Sequence, residues 1–528
     1  MGVAAVREEG DFLIQSRYQS YLSDESGLGP GTASILFLPN DEAQIAAFLR
    51  EMNERRMPVT VSGGRTGIVG GAVPQGGSVL SLESMKRIVG IRWDNESQEW
   101  RMTVQPGITL RELQQRIATK NFEENTNESW KDLPRFLKDS NQYFYPPDPT
   151  EDLASLGGTV ATDASGARTY FYGRTREHIR NIRVVLTNGE VIPLRRGEHQ
   201  ASRAEVIHVR HLDGTVTDIP LPKYERPKVK CATGFYNSTN MDLIDIFIGS
   251  EGTLGVITEI EIALQIKPKT AMFLAFFPSM EDATAFVIEE RSKKKDKGPL
   301  SIHSMEYIDK NSLGLIHEIK EDHKLGIRLP ESPTASILCE FGYADIEPAI
   351  QQLIESLSKF HSSADNAISG IDEGDKNRLK ALRHAVPESI NRMIAKRKKD
   401  IPGLHKLGTD TAVPDDKLQE LMKLYNQKLI ESRLEHYVVG HLAENHLHVN
   451  ILPTSQEELI DGERLVRDLA KTAVALGGAV SAEHGIGKMK REFMMLMYSD
   501  AEVGEMIRLK RALDPNWILS RGNLFAPL

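Results

Sequence analysis

Two stretches of this 528-residue chain concentrate side chains that bind metals and move protons. The first reads Gly440-His441-Leu442-Ala443-Glu444-Asn445-His446-Leu447-His448-Val449-Asn450, the second Ala479-Val480-Ser481-Ala482-Glu483-His484-Gly485-Ile486-Gly487. Three imidazoles within eight residues, with a Glu-His pair soon after, could supply neutral nitrogens and a carboxylate to a divalent ion. The alternation His446, His448, Asn450 puts those side chains on one face of a strand, and His441 before the turn can fold back toward them. A protease of the inverted HxxEH type is excluded because Asn445 separates Glu444 from His446.

A different chemistry is available at residues 62–77, SGGRTGIVGGAVPQGG, where glycines let backbone N–H groups approach an anion. GxGxxG between a strand and a helix is not matched, which disfavours a Rossmann dinucleotide site. Gly485-Ile486-Gly487-Lys488 resembles the end of a phosphate loop, but Ala482 and Met489 stand where that motif needs Gly and Ser or Thr. From these residues alone, the 62–77 loop is either a nest for a pyrophosphate or a set of tight turns.

These loops need a scaffold. Ile45, Phe48, Leu49 and Met52 recur at helical spacing in 41–56, with Asn40 as the expected N-cap and a strand at 59–61 behind it. Asn188-Gly189, between apolar runs in 182–194, predicts a hairpin with a type I′ turn. GSEGTLG then leads into the strand VITEIEIAL. From about residue 268, strand-like segments (FLAFFP, IHSMEYI, SILCEFGY) alternate with helix-like ones (MEDATAFVIEERSK, SLGLIHEI, PAIQQLIESLSKF), which predicts a sheet covered by helices. A short helix from 502 closes the chain. The basic runs 293–297 and 396–399 are expected on solvated faces.

Composition bounds the partners. Net charge is −9, with 40% hydrophobic and 26% charged residues, which suits a soluble chain of two to four domains and disfavours nucleic acid. Cys231 and Cys339 are the only cysteines, too few for a disulfide framework or an iron–sulfur cluster and in keeping with a reducing cytoplasm. No apolar run approaches a membrane span and the start lacks a signal-like core, so the expected location is cytoplasmic, at most peripheral at the inner membrane face.

In order, SGGRTGIVGGAVP, YPPDPTEDLASLGGTVATDASGARTYFYG and IGSEGTLGVITEIEIAL resemble the FAD-binding domain of vanillyl-alcohol oxidase type flavoproteins. The C-terminal half resembles the branch holding D-lactate dehydrogenases, glycolate oxidase catalytic subunits and D-2-hydroxyglutarate dehydrogenases. The resemblance implies an α+β fold: a two-subdomain FAD domain (1–267), an α/β cap with an antiparallel sheet carrying the substrate and metal site (268–500), and a tail (501–528) returning to the FAD domain. It implies that Ser62, Gly63, Gly64, Arg65, Thr66 and Gly67 cradle the pyrophosphate. Pro147, Asp148, Gly157, Gly158, Thr159, Thr162, Ala164, Gly166, Gly173, Gly252 and Val256 are implied near the flavin or its phosphate tail. With no His or Cys from Ser62 to Tyr172, FAD is expected to be noncovalent.

The same resemblance, to GHxGDGNxHxN plus SxEHGIG, implies His441, His448 and Glu483 as ligands of a divalent metal, Zn or Mn. It implies His484 as general base, Asn450 at the substrate, Arg383 as carboxylate anchor and Lys406 as a second anchor. Ala443-Glu444-Asn445-His446 departs from Gly-Asp-Gly-Asn, and Ser520-Arg521-Gly522-Asn523 departs from the usual Asn-Pro-Gly-Lys. The implied reaction is oxidation of a D-2-hydroxy acid. Electrons would pass to an external quinone, cytochrome, electron-transfer flavoprotein or iron–sulfur subunit, and a homodimer is compatible. The rival readings are another FAD reaction, such as alkyl-glycerone-phosphate synthesis, and a non-catalytic FAD subunit of an oxidase complex. Retention of His441, His448, Glu483 and His484 together speaks against the subunit.

Overall fold

The amphipathic stretch near the start folds as the helix Glu42–Glu54, which buries Ile45, Phe48, Leu49 and Met52. Its cap is Asp41, not Asn40: the Asp41 carboxylate accepts from Gln44 N at 2.9 Å, whereas Asn40 N donates to the Gln44 side chain. The computed structural model describes residues 4–122, 128–201, 205–210, 216–295, 298–330 and 334–526.

Among the described residues, three larger sheets organise the α+β chain. The first has the order Val6–Glu9, Ile35–Leu38, Ser78–Ser81, Val59–Ser62; its last three strands are parallel, and the glycine loop connects the two at the edge. The second is antiparallel along its main path, in the order Ile88–Asp94, Glu99–Val104, Val256–Ile266, Ile179–Val185, Val191–Arg195. The hairpin between its last two strands does not use a type I′ turn. Only Gly189 has positive φ, at 79°; Gly189 N bonds Leu186 O at 2.9 Å and Asn188 Oδ1 accepts from Glu190 N at 3.0 Å. The Asn side chain stabilises a wider turn that ends on a left-handed glycine.

The third sheet has eight strands, including Thr270–Phe277, Ala335–Tyr343, Leu300–Asp309, His436–His441 and His446–Ile451, all antiparallel to their neighbours. The helices Met280–Ser292, Lys310–Glu318 and Ile346–Lys359 fall where the alternating pattern puts them. The last segment packs back on the N-terminal half: the helix Asp500–Leu513 buries Met506, Leu509 and Leu513 in the core of the second sheet, and Val59 N donates to Ile518 O at 2.8 Å.

The 396–399 run ends the helix Glu373–Asp400 and is mostly exposed. In the other run Lys293 turns inward to the buried Glu290 at 2.6 Å, because that carboxylate needs a counter-charge; Asp296 and Lys297 lie outside the described residues.

Candidate active site

A tight hairpin brings the histidines together. The strand His436–His441 ends in the turn Leu442–Glu444, Asn445 adopts φ 56°, and the strand His446–Ile451 returns with Val439 opposite His448. Asn tolerates this left-handed position better than most residues, so the turn closes without the glycines of the resembling motif. The rings of His446 and His448 lie 4.3 Å apart by centroid, and His441 lies 5.3 Å from His446.

Glu483 enters this group from the second loop. One of its oxygens lies 3.2 Å from His448 Nε2 and 3.4 Å from His441 Nε2. The other lies 3.0 Å from Lys230 Nζ, 3.4 Å from Ser165 Oγ and 3.8 Å from His446 Nδ1. One donor atom from each of His441, His446, His448 and Glu483 lies within 4.8 Å of the others. Burial opposes the charge on Glu483, but Lys230 and the histidines outweigh it and hold the carboxyl well below its ordinary range.

Around this core stand residues that the sequence motifs do not reveal. Glu306 bridges His441 Nδ1 and, at 2.8 Å, Arg383 Nε. Although burial lowers the pKa of His441, Glu306 and Glu483 bring it up to about 9. Asp410 is a second hub. Its Oδ1 lies 3.0 Å from His446 Nε2, while its Oδ2 lies 3.2 Å from His484 Nδ1 and 2.8 Å from Lys490 Nζ. Against the cost of burial, His484 and Lys490 keep Asp410 anionic. His446, by contrast, is pushed down to about 3 by burial and by its neighbour His448, so it is neutral.

His441, His448, Glu483, His484 and Arg383 are therefore one assembly. Asn450 is buried on the strand that carries His448, with its amide 3.4 Å from Tyr437 O. Lys406 is not part of the group and bonds Asn391 Oδ1 at 3.1 Å. The signal for Glu306 lay in strand context, since it is a buried acid between Met305 and Tyr307 in a strand and such a charge demands a partner.

The glycine loops pack on one another nearby. Gly64 N and Gly158 N both donate to Ser155 Oγ, at 3.1 and 3.3 Å. A Cβ on Gly63 would come 2.3 Å from that oxygen, and one on Gly166 would come 2.0 Å from Asp148 O, while beside Gly67 lies open space. Ser62 ends its strand, Arg65 pairs with Glu83 at 3.0 Å, and Thr66 is partly exposed. Pro147 is buried and Asp148 accepts from Arg168 N. Thr159 and Thr162 bond back into the helix Leu156–Thr162. Ala164 O accepts from Thr175, and Gly173 ends the next short helix. Gly252 faces Ser520, and Val256 is buried among Val59, Val185 and Leu519.

The GSEG and AEHGIG loops interlock. The Glu251 carboxylate accepts from Ile486 N and Gly487 N, each at 2.7 Å. Asn523 is occupied by Lys488, Gly71 and Glu251. Because Ser165 lies between Ala164 and Gly166, the loop expected at the flavin touches the histidine cluster directly.

Glycine loops of this kind, joined to an antiparallel sheet that presents a buried His/Glu cluster, belong here to a flavoprotein of the FAD-binding oxidoreductase class, as the family models show: "FAD linked oxidases, C-terminal domain" matches residues 266–524, and "FAD binding domain" matches 33–129 and 126–195. The chain belongs to the FAD-linked oxidases and is an FAD-dependent oxidoreductase. It is 27% identical over 498 residues to a mitochondrial D-lactate dehydrogenase [cytochrome] of Arabidopsis thaliana, covering 93% of this chain and 73% of that one. It is 26% identical to a D-lactate dehydrogenase of Anaerostipes hadrus, covering 96% and 92%. A solved alkyldihydroxyacetonephosphate synthase shares the fold with TM-score 0.60 and 15% identity, covering 93% of this chain and 76% of that one.

Proposed function

We propose that this enzyme is a dehydrogenase of D-2-hydroxy acids, of the D-lactate, glycolate or D-2-hydroxyglutarate class, that releases the 2-oxo acid and passes electrons to an external acceptor. The observation that carries this reading is the meeting of His441, His448, Glu483, His484 and, through Glu306, Arg383, with Ser165 bringing the 157–166 loop to Glu483. A subunit without chemistry has no use for such a group.

The donors fit a divalent ion, because buried imidazoles with outward hydrogen bonds face a common carboxylate. When bound, FAD supplies the acceptor for the C2 hydride and a divalent metal at His441, His448 and Glu483 supplies Lewis acidity toward the hydroxyl. Arg383 spends Nε on Glu306, which fixes the guanidinium plane and leaves its Nη edge to grip the substrate carboxylate. Asp410 Oδ2 accepts from His484 N and lies 3.2 Å from its Nδ1, which favours the proton there, so the Nε2 lone pair takes the hydroxyl proton. Asn450 steadies the substrate from the strand that carries His448. Loss of that proton and of the C2 hydride leaves the 2-oxo acid.

A cavity of about 800 Å³ borders Lys230 and Glu444 and is lined by six basic and three acidic side chains, among them Arg174, Lys228, Arg291 and Lys294. That balance suits the approach of an anionic substrate. Anaerobic mixing of the FAD-loaded enzyme with matched D and L acids tests the reading. D-Lactate, D-2-hydroxyglutarate or glycolate bleaches the flavin and the L enantiomers do not; a flavin that no 2-hydroxy acid bleaches overturns it.

A further inference from the structure

We propose that His446, which replaces the Asn of the resembling motif, is a fourth protein ligand of the metal, beside His441, His448 and Glu483. The inference rests on the reading of this cluster as a metal centre and adds a residue that the resembling motif lacks.

All three imidazoles are held in the same way. His441 Nδ1 bonds Glu306, His448 Nδ1 lies 3.3 Å from Thr409 O, and His446 Nε2 lies 3.0 Å from Asp410 Oδ1. Metal-bound histidines characteristically give their outer N–H to a carboxylate or a carbonyl, which fixes ring and tautomer. The inner nitrogens, Nε2 of His441, Nε2 of His448 and Nδ1 of His446, then lie 3.4, 3.2 and 3.8 Å from oxygens of Glu483.

His446 Nδ1 is buried and has no hydrogen-bond partner among the described residues. With Nε2 donating to Asp410, Nδ1 carries a bare lone pair. A histidine that merely filled the Asn position would leave that lone pair buried and unsatisfied, at a cost; a bound cation satisfies it. Lys230 pairs with Glu444 and Glu483 instead, 2.8 and 3.0 Å away, so it does not serve His446. Asp410 thereby joins two roles, orienting ligand His446 through Oδ1 and His484 through Oδ2. Four protein donors complete the shell of a four-coordinate ion, so the set suits an ion of higher coordination number, such as Mn.

X-ray absorption on the zinc-loaded holoenzyme counts the imidazoles. Three are expected in the wild type and two in His446→Asn, whose zinc Kd should rise at least about tenfold. The flavin spectrum and thermal melting report whether the variant is folded, and the wild-type count decides the matter if it is not. Two imidazoles in the wild type, or unchanged zinc affinity in a folded His446→Asn, overturns the inference and leaves the three-ligand site standing. A wild type that takes up neither zinc nor manganese overturns the metal reading as well. Flavin bleaching by a D-2-hydroxy acid in the same samples reports separately on the substrate assignment.

Discussion

Asp410 gives His484 its direction and Glu306 does the same for His441, yet neither acid lies in a motif. His441 and Glu306 are 135 residues apart, and His446 and Asp410 are 36 apart. The proposed ligand and base residues stood out because their types cluster within two short stretches that resemble a family motif; their positioning partners did not, because only strand pairing brings them close. Lys406 shows the opposite case, a residue in a suggestive segment whose side chain turns to Asn391. The base assignment makes a specific expectation. His484→Asn should keep FAD and metal but slow anaerobic flavin reduction by about 10²–10⁴-fold, the size of a positioned general base. Stopped-flow absorbance checks this, and a folded variant that reduces its flavin at the wild-type rate removes His484 from the mechanism.

Strand and helix positions after residue 268 followed from hydrophobic alternation, since one-sided burial imposes its period on sequence. Strand order did not, because pairing of Leu300–Asp309 with His436–His441 leaves no local trace. Asn188-Gly189 likewise marked the hairpin but not its turn type, which the Asn side chain decided.

Across elements, the buried pair Arg168–Glu340 ties the 157–173 region to the large sheet, with both contacts at 2.8 Å. Burial would raise the Glu340 pKa, but the Arg168 fork outweighs it and holds the value at about 2. An unfolded Glu titrates near ~4.3. The folded value is the lower one, so this stabilisation is present above ~4.3 and is lost as pH falls from there toward about 2. Arg168→Met leaves the carboxylate buried without a partner and should cost about 3–5 kcal/mol in denaturant melts, with most of it recovered in Arg168→Met/Glu340→Gln. A double variant no more stable than the single one would contradict the pairing.

For the whole molecule, a net charge of −9 conceals a basic cavity that borders Lys230, the partner of Glu483. Composition made a nucleic-acid partner an unfavoured expectation but could not show this local field, which forms only when residues 174, 228, 291 and 294 meet around one cavity. If anions enter there, kcat/KM for a hydroxy acid should fall as salt is raised. Lys228→Glu with Lys294→Glu should lower it by about tenfold at low salt, mainly through KM, and flatten the salt dependence. Steady-state assays across ionic strength decide this; an unchanged salt profile would place the entrance elsewhere.

The central claim is that a C2 hydrogen of a D-2-hydroxy acid leaves to FAD within this His/Glu cluster. Anaerobic stopped-flow reduction of the FAD-loaded enzyme by C2-deuterated and unlabelled D-lactate or D-2-hydroxyglutarate tests it most directly. The predicted result is flavin reduction that is slower with deuterium at C2 and absent with the L enantiomer. A flavin that neither acid reduces, or that D and L forms reduce equally and without an isotope effect, would contradict it.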